Sequence, residues 1–83
     1  MTRIYLKPDN LPTEVKCIIL DGPLEQFNKH GDSLPCWFLS YGDFWGEALG
    51  NSRKFYSYDA LQREGKYLAK TYGLELVNDS MPL

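Results

Sequence analysis

The sequence predicts an α+β fold: a mostly antiparallel sheet of five to six short strands with one main helix, about 58–72, packed on one face. Three observations lead there. Short apolar runs alternate with polar residues at a period of two and are cut by Gly, Pro, Asn and Asp. One segment only, between Ser57 and Gly73, carries a helical period with both ends marked. The chain has 83 residues, 43% hydrophobic and 24% charged, the balance of one ordinary globular domain spanning 1–83.

The elements follow in order. Arg3 to Lys7 alternates, with Ile4 and Leu6 on one side, and reads as a strand. Pro8 to Pro12 breaks it, because proline lacks the N–H a ladder needs. Glu14 to Leu20 is the next strand. Val15, Cys17 and Ile19 share one face, and Ile18 and Leu20 the other, the two-sided pattern of an interior strand. Asp21-Gly22-Pro23 resembles a helix start. Leu24 to His30 is then either two turns of helix ended by Gly31 or an irregular loop.

Cys36 to Tyr41 is a strand, followed by a two-residue turn at Gly42-Asp43. Phe44 to Leu49 returns, Gly50-Asn51 turns again, and Arg53 to Ser57 completes a meander. Gly42, Gly46 and Gly50 are expected to mark turns and one bulge or close approach.

The helix has the fullest set of local signals. Ser57 is a good N-cap. Asp59 in the first turn and Lys66 and Lys70 further on suit the macrodipole. Leu61, Gly65, Leu68, Ala69 and Tyr72 fall on one face. Gly65 costs about 1 kcal/mol against alanine, so a close approach to a strand is expected there. Gly73 ends the helix as a left-handed cap. Leu74 to Asn78 is a last strand, and 79–83 reads as a frayed tail.

Several chemistries are excluded or weakened. The net charge is −2, which argues against a strong electrostatic binder of nucleic acid. No apolar run approaches the ~20 residues of a membrane span, so no membrane partner is expected. The charged, Pro-broken N-terminus is unlike a signal peptide, and a cytoplasmic location follows as the expectation. Cys17 and Cys36 are then expected to be reduced and buried in strands. Asn78-Asp79-Ser80 matches a glycosylation acceptor and reads as a chance match.

Cys17, His30, Asp32 and Cys36 include zinc ligand types without a C-x2-C or H-x3-H spacing, so no metal is expected. A Cys36–His30 nucleophile pair would need an exposed, activated thiol, which a place beside Trp37 and Phe38 does not offer. Asp43 with Glu47, and Asp21 with Glu25, are acids at turns. No phosphate loop is present and no cofactor is implied. The chain is not expected to be an enzyme.

Two binding readings remain. Trp37 to Tyr58 holds most of the aromatics. Alternation places Phe38, Phe44 and Phe55 together, expected beneath the helix. Trp37, Tyr41, Trp45, Tyr56 and Tyr58 go to the other face, expected to be a protein-binding surface. The partner would be another protein or a second copy in a homodimer. That suits a regulator, inhibitor or adaptor, phage and mobile-element proteins included. The alternative is a single-stranded nucleic-acid binder using Arg53, Lys54, Tyr56, Arg63, Lys66 and Lys70, where bases and aromatics interleave. The outline recurs in many small folds, and no motif residue ties it to a particular family.

Overall fold

The computed structural model describes residues 11–27 and 29–83. Among the described residues it is α+β: a four-stranded mixed sheet with one helix. The strands are β1 (Cys17–Phe27), β2 (Ser33–Gly42), β3 (Ala48–Phe55) and β4 (Glu75–Ser80), and the helix α1 is Tyr58–Tyr72. The sheet order is β3-β2-β1-β4. β1 pairs antiparallel with β2, β2 antiparallel with β3, and β1 parallel with β4. The expectation of five to six mostly antiparallel strands is corrected on count and on β4. The strand expected over 3–7 lies outside the described residues.

β1 is longer than its sequence signal. Gly22-Pro23 does not start a helix. It forms a bulge where β1 spends two residues against one of β2, between the pairs Asp21–Phe38 and Leu24–Cys36. Proline is tolerated in a sheet at such a point, where the ladder is already broken. The strand then continues through Leu24 to Phe27, replacing the expected short helix or loop.

β3 likewise absorbs two expected elements. The chain does not return at Phe44; residues 43–47 form the loop and β3 begins at Ala48. Gly50 does not turn the chain. It has φ +67° inside β3, where the register with β2 shifts between Leu39 and Tyr41. The bulge expected among the three glycines is there.

The helix matches its signals. Ser57 is extended, and its hydroxyl accepts from the Ala60 amide at 3.3 Å. Gly73, at φ +64°, is the left-handed cap. Gly65 is buried against β1, and a Cβ there would lie 2.8 Å from both Leu20 methyl carbons. Its lack of a side chain is what lets helix and sheet approach.

The helix links β3 to β4, the two edge strands, and crosses over β2 and β1. The core lies beneath it: Ile18 and Leu20 of β1, Trp37, Leu39 and Tyr41 of β2, and Leu61 and Leu68 of the helix, with Val15 at one end. Leu49, Phe55, Tyr58 and Leu76 pack around this cluster. Residues of opposite parity, Ile19, Phe38, Ser40 and Val77, lie on the other sheet face.

Of the tail expected to fray, residues 79–81 are tied. β4 runs to Ser80, the Met81 amide donates to the Gly22 carbonyl at 3.0 Å, and Trp37 Nε1 donates to the Met81 carbonyl at 2.9 Å. Gln62 joins the helix to β4. Its amide donates to Ser80 Oγ at 2.7 Å, and Asn78 Nδ2 donates to Gln62 Oε1 at 2.8 Å.

Candidate protein-binding site

The five aromatics expected to share one open face do not share one. Trp37 is 3% exposed and Tyr41 fully buried, both in the core beneath the helix. Tyr58 stands at the first helical position, half-buried, with its ring edge-on to Trp37 at 6.2 Å between centroids. Tyr56 is exposed in the connection from β3 to the helix. Trp45 is 82% exposed.

The phenylalanines divide too. Phe55 pairs with Trp37 and packs at the core, as expected. Phe38 lies on the opposite face, with the Lys54 ammonium 6.0 Å from its ring centroid. Phe44 is 76% exposed, next to Trp45.

Within β2 the alternation was right and its sign was wrong; across β2 and β3 the grouping was wrong, because Phe55 pairs with Trp37 and not with Phe38. On β2, one register offers Trp37, Leu39 and Tyr41, and the other offers Phe38, Ser40 and Gly42. The second set holds a hydroxyl and no side chain at all in two of its three places, so it is the poorer core face. A helix settles where burial removes most apolar surface, on the first set.

Phe27, Tyr56, Tyr67 and Met81 are among the large apolar side chains left in water, and with them a compact pair of rings at the β2–β3 loop. Phe44 and Trp45 occupy the two central positions of a turn closed by the Gly46 amide donating to the Asp43 carbonyl at 3.1 Å. The Asp43 amide donates to the Glu47 carbonyl at 2.9 Å, which shuts the base of the loop. Asp43 Oδ1 accepts from the Trp45 amide at 2.8 Å and from the Glu47 amide at 2.9 Å. Asp at the first position and Gly at the fourth are the turn's own sequence signature. That signal, Asp43-Phe44-Trp45-Gly46, centres the turn on Phe44-Trp45, two residues later than Gly42-Asp43. It also shows Phe44 as part of the site. The two rings meet edge-on, 5.1 Å between centroids and 90° between planes. An ordered loop thus holds two large rings in solvent with an acid on either side.

The basic residues are not one stripe. Neighbours on a strand point to opposite faces, and so do Arg53 and Lys54. Arg53 lies on the helix side, 3.6 Å from Glu64 and over the Phe55 ring at 5.3 Å. Arg63, Lys66 and Lys70 are exposed on the helix. Arg63 lines a shallow groove of about 340 Å³ between the helix and β3, with Phe55, Ala60, Glu64 and Tyr67.

The cysteines are free and buried. Cys17 sits opposite Gly42 and Cys36 opposite Leu24, so they occupy opposite ends of β1, roughly 20 Å apart at about 3.3 Å per residue. No disulfide can join them. Burial pushes the Cys17 thiol up, and the carboxylates of Glu75 and Asp43 add to this. Cys17 Sγ points at the Asp43 carbonyl and Cys36 Sγ at the Leu24 carbonyl. Neither has the surroundings that activate a nucleophile. Among the described residues no group of three or more His, Cys, Asp or Glu is placed to hold a metal ion. No described helix is long and apolar enough to cross a membrane.

No protein-family model, curated protein or solved structure matches the chain.

Proposed function

We propose that this chain is a small, non-catalytic protein-binding module of the cytoplasm, a regulator, inhibitor or adaptor, that engages its partner through the Phe44–Trp45 tip. One observation carries the reading: two adjacent large aromatics stand in water on a loop braced by four hydrogen bonds. Burying a side chain of this size is worth about 1.5–3 kcal/mol, and a monomer leaves that unused. Aromatic anchors held rigidly lose little entropy on binding, which is why Trp and Tyr dominate interface hot spots. The flanking acids, Asp43 and Glu47, would select a partner with a basic rim. Single-stranded nucleic acid is the weaker reading, because Arg53 and Lys54 face opposite ways and Arg53 is already paired.

The test is a photo-crosslinking amino acid placed at position 45, with position 79, exposed on the β4 edge, as control. A discrete protein adduct from 45 and none from 79 supports the reading. A folded protein that yields no protein adduct from 45 defeats it. The F44S/W45S double variant should keep its stability to within about 0.5 kcal/mol, since surface changes of this kind cost little, and should lose competition for the adduct.

A further inference from the structure

We propose that the groove between the helix and β3 receives the Phe44–Trp45 tip of a second copy of this chain, so that two molecules associate reciprocally, tip into groove. The proposal rests on the reading of the tip as a binding element and names its occupant.

The groove offers the tip a shallow apolar seat. Phe55 and Tyr67 give it aromatic walls and Ala60 leaves space between them. Its volume of about 340 Å³ is at the low end of sites that hold a small ligand, and suits one or two aromatic side chains.

The two surfaces match in charge. The tip carries Asp43 and Glu47 on either side of its rings. Arg63 stands exposed at the groove, and Glu64 beside it is already engaged by Arg53, so these three side chains leave one positive charge in excess. An acidic, aromatic knob therefore meets a basic, aromatic slot, and Arg63 is placed to lie over an incoming indole.

Reach decides that the knob comes from another molecule. The tip precedes Ala48 and the groove lies at Phe55, the two ends of an eight-residue strand. That is roughly 25 Å of extended chain. A braced loop cannot fold back over that distance. A two-fold axis lets each molecule supply one tip and one groove, a self-complementary interface of the commonest kind. Two contacts of this size support weak association, micromolar to sub-millimolar.

The experiment is sedimentation equilibrium on the whole chain up to about 1 mM, the weak end of that range, with W45S and R63E. Both positions are exposed, and a thermal melt confirms that each variant is folded. The wild type should form dimers that weaken as salt rises, since the charges at the rim are screened. Each single variant should associate at least tenfold more weakly. An equimolar mixture of the two should associate more tightly than either alone, because R63E keeps its tip and W45S keeps its groove.

A wild type that stays monomeric overturns the inference, as does W45S dimerising like the wild type or a mixture that recovers nothing. The two readings fail separately. A monomeric wild type that still gives a protein adduct from position 45 sinks the self-association and leaves the binding module standing. Absence of both removes both.

Discussion

Tyr41 is the residue where burial and chemistry conflict. Its ring fills the centre of the core, yet neither its hydroxyl nor Arg53 Nη1 has a well-formed hydrogen bond, although the guanidinium is close enough to act on the phenol. Burial holds the phenol above its ordinary value, the Arg53 guanidinium lowers it in part, and Glu64 and Tyr72 push it up again. A raised value in the folded state fixes the sign. Below pH about 10 the phenol is protonated folded and unfolded, and its contribution is whole. Above that, the unfolded chain gives up its proton first, so stability falls as pH rises toward the folded value. Tyr41→Phe removes both the orphan hydroxyl and this alkaline loss. At pH 8 it should be as stable as the wild type or up to about 1 kcal/mol more so, because an unsatisfied buried group is a cost rather than a gain. Above pH 10 its advantage should widen. Urea midpoints from pH 8 to 11 measure this. A loss of more than about 1.5 kcal/mol at pH 8 would mean that the hydroxyl has a partner.

At the scale of elements, the loop at 43–47 is built from one side chain. Asp43 accepts two backbone amides, and Asp43→Ala leaves both to water at a cost of about 1 kcal/mol. Hydrogen exchange should show the Trp45 and Glu47 amides roughly tenfold faster, while those of β1 and β2 keep their protection. Equal acceleration across the molecule would mean that the loop is not an independent unit. What was legible in the sequence follows the same division between local and distant causes. The helix could be read because Ser57, Asp59, Lys70 and Gly73 are its own signals, and Gly65 announced its close approach to Leu20. The alternation of β2 could be read because parity is local. Which parity faces the helix could not, since that depends on Leu61 and Leu68 arriving from elsewhere in the chain. The continuation of β1 past Gly22-Pro23 was hidden for the same reason: local turn chemistry says stop, and pairing with Cys36 and Leu34 says continue. The tip was visible as Asp43-x-x-Gly46 and was obscured by the rival turn at Gly42.

The whole molecule is closed by its last strand. β4 lies parallel to β1, at the edge opposite β3, and reaches that place by a helix spanning the sheet. No short-range signal in Leu74 to Asn78 distinguishes this edge from the other. Contacts at the end of the strand hold the arrangement. Met81 donates its amide to the Gly22 carbonyl and accepts the Trp37 indole N–H, so the bulge, the core tryptophan and the C-terminal residues share one set of bonds. Removing residues 81–83 leaves the Trp37 N–H, in a side chain 3% exposed, with no acceptor. That should cost about 1–3 kcal/mol, against a few tenths for trimming an unattached tail. In a domain of this size the loss amounts to a fall of roughly 4–24 °C in Tm, at about 4–8 °C per kcal/mol. It should appear as a single cooperative shift, because the bonds join β1, β2 and β4 rather than one element. Trp37 reports the event directly: its emission should move to the red at the same temperature as the loss of helical circular dichroism. A truncated chain melting within 1–2 °C of the full one (a few tenths of a kcal/mol) would show that the tie at Met81 contributes nothing to the fold.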